Sequence, residues 1–137
     1  MGEAAEKITL VNSGDISALG CGYIQETEVR QLTVDAIADT CAMSLVMGKE
    51  TCKRLGLVIE EDREATLAGG VRQACKVTEP VTIRWNERYT ATHALVLPGK
   101  EEILLGVIPL EGMDLMVNPV EGCLADAHGD AWVRYVR

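Results

Sequence analysis

The chain has 137 residues, a formal net charge of −8, 47% hydrophobic residues and no phenylalanine. This length fits one domain, whose core must consist mainly of aliphatic side chains. The acidic balance repels phosphate backbones and anionic lipid, so we expect no nucleic acid and no membrane among the partners of this protein.

The N-terminal segment, residues 1–17, is interpreted as a polar lead-in that precedes a single domain over residues 18–137. It carries acidic residues where a signal peptide would carry basic ones, and it lacks a long apolar stretch. No segment of the sequence approaches the length of a membrane span. These features predict a cytoplasmic protein.

The next strongly patterned segment runs from Val29 to Ala38 and ends at Asp39. Its apolar and polar residues alternate, which predicts a strand with one buried face. After residues 39–42 an apolar stretch resumes at 45–47, and residues 48–57 have the pattern of a short helix that ends at Gly56. The residues predicted on the buried strand face are Leu32, Val34, Ala36 and Ala38.

Two hairpins are predicted in the middle of the chain. The first joins residues 65–68 to 71–77 through Gly69-Gly70, a pair that tolerates the positive φ of a tight turn. The second joins an alternating run over 81–85 to a longer one over 89–97. Two consecutive hairpins of this kind are typical of an all-β domain.

The C-terminal third predicts a short buried strand at 103–105, a short helix opened by Pro109, an extended segment at 115–117 and a terminal strand at 131–137. Strands and turns therefore recur at close spacing. We predict a mainly β fold, closed into a barrel, with one or two short helices.

Five cysteines are scattered along the chain without a C-x-x-C pair. An odd number at such spacing argues against a zinc site and against a disulfide framework. We expect reduced thiols that are mostly buried, with the exception of Cys41, and neither a metal nor an organic cofactor. The cysteines are Cys21, Cys41, Cys52, Cys75 and Cys123.

Asp39 is the candidate for chemistry. An aspartate at a strand end is usually a turn former that accepts backbone hydrogen bonds. Here apolar strands and the neighbours Ala38 and Ala42 would partly desolvate the carboxylate, which disfavours its ionised form. The hydroxyl of Thr40 and the following backbone N–H groups could hold the carboxylate in one orientation.

The segment LTVDAIADTCAMSLVM around Asp39 resembles the catalytic segment of retropepsin-like aspartic proteases, in which a hydrophobic strand runs into Asp-Thr/Ser-Gly-Ala. The family's second landmark, two apolar residues and a glycine, is matched by Leu104-Leu105-Gly106. Its flexible flap hairpin is matched around Ala68-Gly69-Gly70. The segment ILLGVIPLEGMDLMVNP is similar to bacterial members often called clan AA aspartic proteases. The resemblance extends from about Val29 to the C-terminus.

The resemblance implies a homodimer that acts on a peptide or protein substrate. Each subunit of this family supplies one catalytic aspartate, and the two carboxylates face each other across a two-fold axis and share a proton. Asp39 would be that residue, and Thr40 would brace the two active-site loops. The flap would cover an extended peptide, and Leu104-Leu105-Gly106 would support the loop.

Cys41 departs from the family pattern, because it stands where the family has glycine. Three alternatives follow: a working protease that tolerates the side chain, a catalytically impaired dimer that binds peptides, or a pair of Cys41 thiols that oxidise across the axis. The family commonly has a charged residue after the glycine of its second landmark, and this chain has Val107 at that position. A monomeric β-barrel binding domain is a more distant alternative.

Overall fold

The computed structural model describes residues 3–67 and 69–128, and this part of the chain contains eleven strands and three α-helices. The strands are β1 (Glu3–Asn12), β2 (Gln31–Asp39), β3 (Leu45–Met47), β4 (Ile59–Thr66), β5 (Arg72–Thr78), β6 (Val81–Trp85), β7 (Arg88–Thr92), β8 (Ala94–Val96), β9 (Leu104–Leu105), β10 (Leu115–Asn118) and β11 (Cys123–Asp126). The helices are α1 (Ser13–Gly20), α2 (Lys49–Leu55) and α3 (Val107–Gly112), and a short 3-10 helix covers Glu26–Glu28. The predicted mainly β class with short helices is confirmed.

Nine of the strands form one sheet in the order β4-β5-β8-β3-β9-β2-β1-β6-β7, and β10 pairs with β11 separately. The outer strands β4 and β7 do not pair with each other in the described residues, so the sheet is not closed into the barrel that we expected. Nearly every side chain of β4 is exposed. This strand has no apolar face that closure would bury, which leaves it as an edge.

Strand β1 corrects the interpretation of residues 1–17 as a polar lead-in. It lies between β2 and β6 and pairs antiparallel with both. Ile8 and Leu10 are fully buried, while Lys7 and Thr9, which alternate with them, point to the other face. This alternation over a few residues is a strand signal, and the charged residues around it obscure it.

Helix α1 was not anticipated by the sequence pattern, and side-chain hydrogen bonds hold it in place. The buried Asn12 caps the helix by accepting from the N–H of Asp15, and its amide donates to the carbonyl oxygen of Leu55 at 2.8 Å. Arg30 donates to both carboxylate oxygens of Asp15, at 2.8 and 2.9 Å. These hydrogen bonds with Arg30 lower the pKa of Asp15 below its ordinary value.

Helix α2 confirms the predicted short helix. Cys52 and Leu55 are its buried residues, and Gly56 ends it with a φ of 64°, which is the left-handed conformation that glycine tolerates best. Helix α3 also forms where a short helix was predicted, with Pro109 in its first turn. Both helices follow short buried strands that are close to the predicted site.

The predicted strand over residues 89–97 is interrupted at His93. Strand β7 pairs with β6, whereas β8 pairs with β3 and β5 elsewhere in the sheet. At the interruption, the ring of His93 forms a 2.8 Å hydrogen bond with the carbonyl oxygen of Thr78, and the hydroxyl of Thr78 accepts from the N–H of Ala94. These hydrogen bonds lie at the point where the chain passes from the β6–β7 hairpin to the position of β8 between β3 and β5.

The main core fills one face of the central strands and is made of aliphatic side chains, as the composition predicts. No helix in the described ranges is long and apolar enough to cross a lipid bilayer. The predicted terminal strand at 131–137 lies outside the described residues. The largest fully buried apolar side chains include Ile8, Leu10, Leu45, Met47, Leu55, Ile83, Leu105 and Met113.

Candidate functional site

Asp39 is the last residue of β2, and the short strand β9 lies between β2 and β3. Strand β9 is parallel to β2, with Ala38 opposite Leu105, and antiparallel to β3, with Leu45 opposite Leu105. The strand that leads to Asp39 and the strand that follows its loop therefore both pair with the same two residues. This arrangement brings the 104–106 segment against the loop at 40–44.

Backbone hydrogen bonds fix the far side of that loop. The N–H of Gly106 donates to the carbonyl oxygen of Ser44 at 3.1 Å, and the N–H of Val107 donates to that of Ala42 at 2.9 Å. Ile108 donates in the same way to Met43 at 2.9 Å. Since these donors are backbone groups at the start of α3, the loop is held without any specific side chain.

Gly106 is required by space rather than by its φ. A Cβ on this residue would lie 2.6 Å from the carbonyl carbon of Met43 and 2.6 Å from the carbonyl oxygen of Ser44. Both are backbone atoms that cannot turn aside. The close approach of the two segments therefore depends on the absence of a side chain at this position.

The Asp39 carboxylate is half-buried and accepts a hydrogen bond of 2.8 Å at Oδ1 from the backbone N–H of Cys41. The N–H of Ala42 donates to the backbone carbonyl of Asp39 at 3.1 Å. The side chain of Thr40 follows directly and is exposed. The carboxylate is thus oriented by the turn that it starts, and it stays accessible from solvent.

Cys41 occupies this turn without an unusual backbone conformation. Among the described non-glycine residues, only Asn86 and Asp114 have positive φ. In this chain, therefore, glycine is not needed at position 41 to form the turn. The Cys41 side chain is exposed. That of Cys21 is exposed as well, which corrects the expectation that the thiols other than Cys41 are mostly buried.

One face of the sheet carries an apolar stripe that starts two residues before Asp39. Side chains of residues that are opposite each other in adjacent strands share a face, and so do residues two apart in one strand. Successive pairings across β2, β9, β3, β8 and β5 therefore place five apolar residues in one row on the face of Asp39. The apolar stripe consists of Ile37, Leu104, Val46, Leu95 and Val77.

The predicted glycine hairpin is confirmed as strands β4 and β5. Its tip is closed by a hydrogen bond of 2.7 Å from the N–H of Leu67 to the carbonyl oxygen of Val71. Gly69 and Gly70 have φ values of 87° and 82°, and Ala68 lies outside the described residues. In the hairpin, Ala65 and Leu67 pack against a buried apolar cluster that includes Val46 of the apolar stripe, and Leu104 of the stripe packs against the same cluster.

The structure thus brings together Asp39, the 40–42 turn and Leu104-Leu105-Gly106. Within the described ranges, no hydrogen bond joins Gly69 or Gly70 to the turn at 39–42. No group of three or more His, Cys, Asp or Glu side chains in this part of the chain is arranged to hold a metal ion.

Two apolar residues beside the turn were not identified as site residues from the sequence. Met43 is 64% exposed, and Ile108 is 48% exposed. The Ile108–Met43 backbone hydrogen bond places them next to each other. The sequence does show an apolar residue after the turn and another after Gly106. That both are exposed could not be predicted, because it depends on how the distant segments at 42–46 and 104–108 pair.

This chain is similar to known proteins in sequence and in fold. The sequence profile of a family described as aspartyl protease matches residues 25–108. A retroviral protease-like domain of Ddi1 from Leishmania major is similar in structure, with a TM-score of 0.58, 16% identity, and coverage of 91% of this chain and 90% of that chain. The EIAV protease complexed with the inhibitor HBY-793 matches with a TM-score of 0.45, 27% identity, and coverage of 58% and 75%. No curated protein matches the sequence.

Proposed function

Because this chain belongs to the retropepsin-like aspartyl protease family, we propose that it is an aspartic endopeptidase whose active site forms between two copies. The observation that carries the proposal is the position of Asp39. Its accessible carboxylate lies at a strand end and accepts a hydrogen bond from Cys41, and the loop that follows is held by backbone hydrogen bonds from residues 106–108. A carboxylate that is held in one orientation and is open to a substrate is what general acid–base chemistry on a peptide bond requires.

In the proposed reaction, the Asp39 carboxylates of the two copies share one proton. The ionised carboxylate takes a proton from a water molecule, whose oxygen bonds to the peptide carbonyl carbon. The protonated carboxyl donates to the carbonyl oxygen as negative charge develops there. The tetrahedral intermediate then loses the amine when the peptide nitrogen accepts a proton and the C–N bond breaks. No metal or organic cofactor takes part.

A second copy is needed because the chain has a single Asp-Thr motif of this kind. The surface beside Asp39 suits such an association. Thr40 and Cys41 are exposed there, and Met43 and Ile108 add exposed apolar area. Burial of these two side chains against their symmetry mates would stabilise a two-fold dimer and bring the carboxylates together. Thr40 would brace the paired loops.

The apolar stripe is the proposed floor for the substrate. It begins at Ile37, beside the carboxylate, and the hairpin β4–β5 packs over part of it. A peptide lying on the half-buried part of this floor, at Ile37 and Leu104, could pair its backbone as an added strand, with the Gly69-Gly70 tip acting as the flap. We therefore propose a preference for aliphatic side chains next to the cleaved bond.

Cys41 decides between this function and the rival proposal of a dimer that binds peptides without cutting them. The backbone N–H at position 41 donates to Asp39 as that of a glycine would, and this favours the active enzyme. The exposed Cys41 side chain, however, adds bulk where the second copy would approach, and this favours the peptide-binding alternative.

The five free cysteines support our proposal of a cytoplasmic location, where thiols stay reduced.

The test combines cleavage with association. The parent protein, Asp39→Asn and Asp35→Asn are incubated with a peptide library, and new termini are identified by mass spectrometry. Asp35 is a matched control because it lies four residues earlier on the same face of β2, exposed and paired with Lys7. We expect Asp39→Asn to lower the cleavage rate at least about 10²-fold, and Asp35→Asn to leave it unchanged.

Sedimentation equilibrium of the same three proteins supplies the second readout. All three should form dimers as the protein concentration rises, because the asparagine can still accept the Cys41 hydrogen bond. A parent protein that is monomeric at every concentration but cleaves peptides would refute the two-copy site. A dimer without cleavage would instead support the peptide-binding alternative.

A further inference from the structure

A pocket of about 240 Å³ lies behind the glycine hairpin, on the face of the sheet opposite the apolar stripe. Lys76 of β5 is opposite Val96 of β8, one residue along from the pair Val77 and Leu95 that belongs to the stripe. Because successive residues in a strand point to opposite faces, the Lys76–Val96 pair borders the reverse side. The first residue of α2, Lys49, closes the pocket from the side.

The walls of this pocket combine apolar surface with positive charge. Ala74, Cys75, Val96 and Pro98 supply the less polar lining. Lys49 and Lys76 supply two ammonium groups, and Asp62 supplies one carboxylate. The two ammonium groups outnumber the one carboxylate, so this pocket has a local excess of positive charge in a protein whose net charge is −8. The combination is suited to a ligand with an apolar body and an anionic end.

The lysines are available to such a ligand. Lys49 has no ion-pair partner within the described residues, although the carboxylate of Glu101 lies near the neighbouring Gly48. Lys76 contacts Asp62 at 2.6 Å, but the Asp62 side chain is 81% exposed. An ion pair in solvent contributes little, so an incoming carboxylate could compete for Lys76.

We infer that this pocket binds a small aliphatic monocarboxylate, with its chain against Val96, Ala74 and Pro98 and its carboxylate between Lys49 and Lys76. The volume is below the range of about 300–1,000 Å³ that is typical for drug-sized ligands, which restricts the ligand to a short chain. The site is separate from Asp39 and does not depend on the proposed protease activity. A ligand there would bridge α2 and the hairpin.

The inference can be tested with hexanoate as the probe. Full-length protein labelled with ¹⁵N is titrated with sodium hexanoate, and in parallel with hexanamide at equal ionic strength, while amide chemical shifts are recorded. We expect saturable shifts at Lys49, Ala74, Lys76 and Val96 with hexanoate. Hexanamide, which has the same chain without the charge, should bind about threefold to fivefold more weakly.

Variants link the binding to the named groups. Lys49→Met removes the unpaired charge and should weaken hexanoate binding by about threefold to fivefold. Ala74→Leu, at an exposed position on the pocket wall, should abolish binding by filling the space. Lys7→Met is the matched control, since Lys7 lies on β1 and pairs with Asp35. Equal affinity for hexanamide, shifts confined to other residues, or unchanged binding by Lys49→Met would each overturn the inference.

Discussion

The backbone N–H of Cys41 donates a hydrogen bond of 2.8 Å to Oδ1 of Asp39. The residue that replaces the family's glycine therefore still orients the carboxylate, because the donor belongs to the main chain. Relative to glycine, the cysteine adds only its Cβ and sulfur, and this side chain is exposed. The effect of Cys41 on function thus depends on the proposed second copy more than on the turn itself.

For Cys41→Gly we expect kcat/KM for peptide cleavage to stay within about threefold of the parent value. The backbone N–H that donates to Asp39 is kept, so the activation free energy should change by less than about 0.7 kcal/mol. The variant should lose about 0.5–1 kcal/mol of unfolding free energy, because glycine is more flexible in the unfolded chain. Cys21→Gly, at another exposed cysteine, is the control for this loss. Cleavage that appears only in Cys41→Gly would instead favour the peptide-binding alternative.

Gly106→Ala is expected to lower the free energy of unfolding by about 1–3 kcal/mol, because the new methyl group would meet the backbone of Met43 and Ser44. Urea unfolding followed by circular dichroism measures the change. Gly20→Ala is the matched control, since a Cβ there has no atom within 4 Å, and its unfolding free energy should change by less than about 0.5 kcal/mol. Equal stability of the two variants would contradict the close packing at Gly106.

The Asp15–Arg30 pair predicts a pH-dependent contribution to stability. Hydrogen bonds with Arg30 lower the pKa of Asp15, so the unfolded chain binds more protons than the folded one over the intervening pH range. The stabilisation is therefore complete above the ordinary value of about 3.8 and is lost as the pH falls through the lower folded value. Asp15→Asn should cost about 1 kcal/mol at pH 7.

The measurement is urea unfolding of the parent and Asp15→Asn at pH 7 and in a series below pH 4. Their difference should shrink as the pH falls. Asp35→Asn removes an exposed pair with Lys7 and should change stability by less than about 0.5 kcal/mol at either pH. A difference between parent and Asp15→Asn that is constant over the whole range would show that the charge of Asp15 is not the cause.

Thiol reactivity should divide the cysteines into two groups. Burial raises the pKa of the Cys52 and Cys75 thiols, so they should react with a disulfide reagent only after unfolding. The exposed Cys21 and Cys41 should react in the native protein. If the proposed dimer forms, Cys41 should react more slowly as the protein concentration rises while Cys21 keeps its rate. Parallel behaviour of the two would argue against burial of Cys41 between copies.

Local sequence patterns predicted the elements whose signals are short-range. The alternation before Asp39, the helix that ends at Gly56 and the Gly69-Gly70 hairpin all depend on neighbouring residues, and the structure has each of them. The break at His93 was missed because it depends on hydrogen bonds to Thr78, a residue in another hairpin. Strand β1 was missed because its apolar residues are few and its partners come later in the chain.

At the site, the order of the motifs pointed to Asp39 and Gly106, but their physical relationship could not be read from it. That Gly106 is required by the Met43 backbone, and that Met43 itself is exposed, both result from pairing between segments far apart in sequence. The apolar stripe likewise emerges only when five strands are placed in register. Such relations are set by tertiary structure, which a single sequence does not specify residue by residue.

The insertion of β9 between β2 and β3 has a consequence for biosynthesis. During translation, Asp39 leaves the ribosome long before Gly106 and Val107, whose N–H groups hold its loop. Until those residues emerge, the nascent polypeptide lacks the anchor that fixes the acidic turn, and closing so long a connection is slow. A hydrolytic centre on this framework would thus stay unassembled while the newly made chain is most vulnerable to cutting itself.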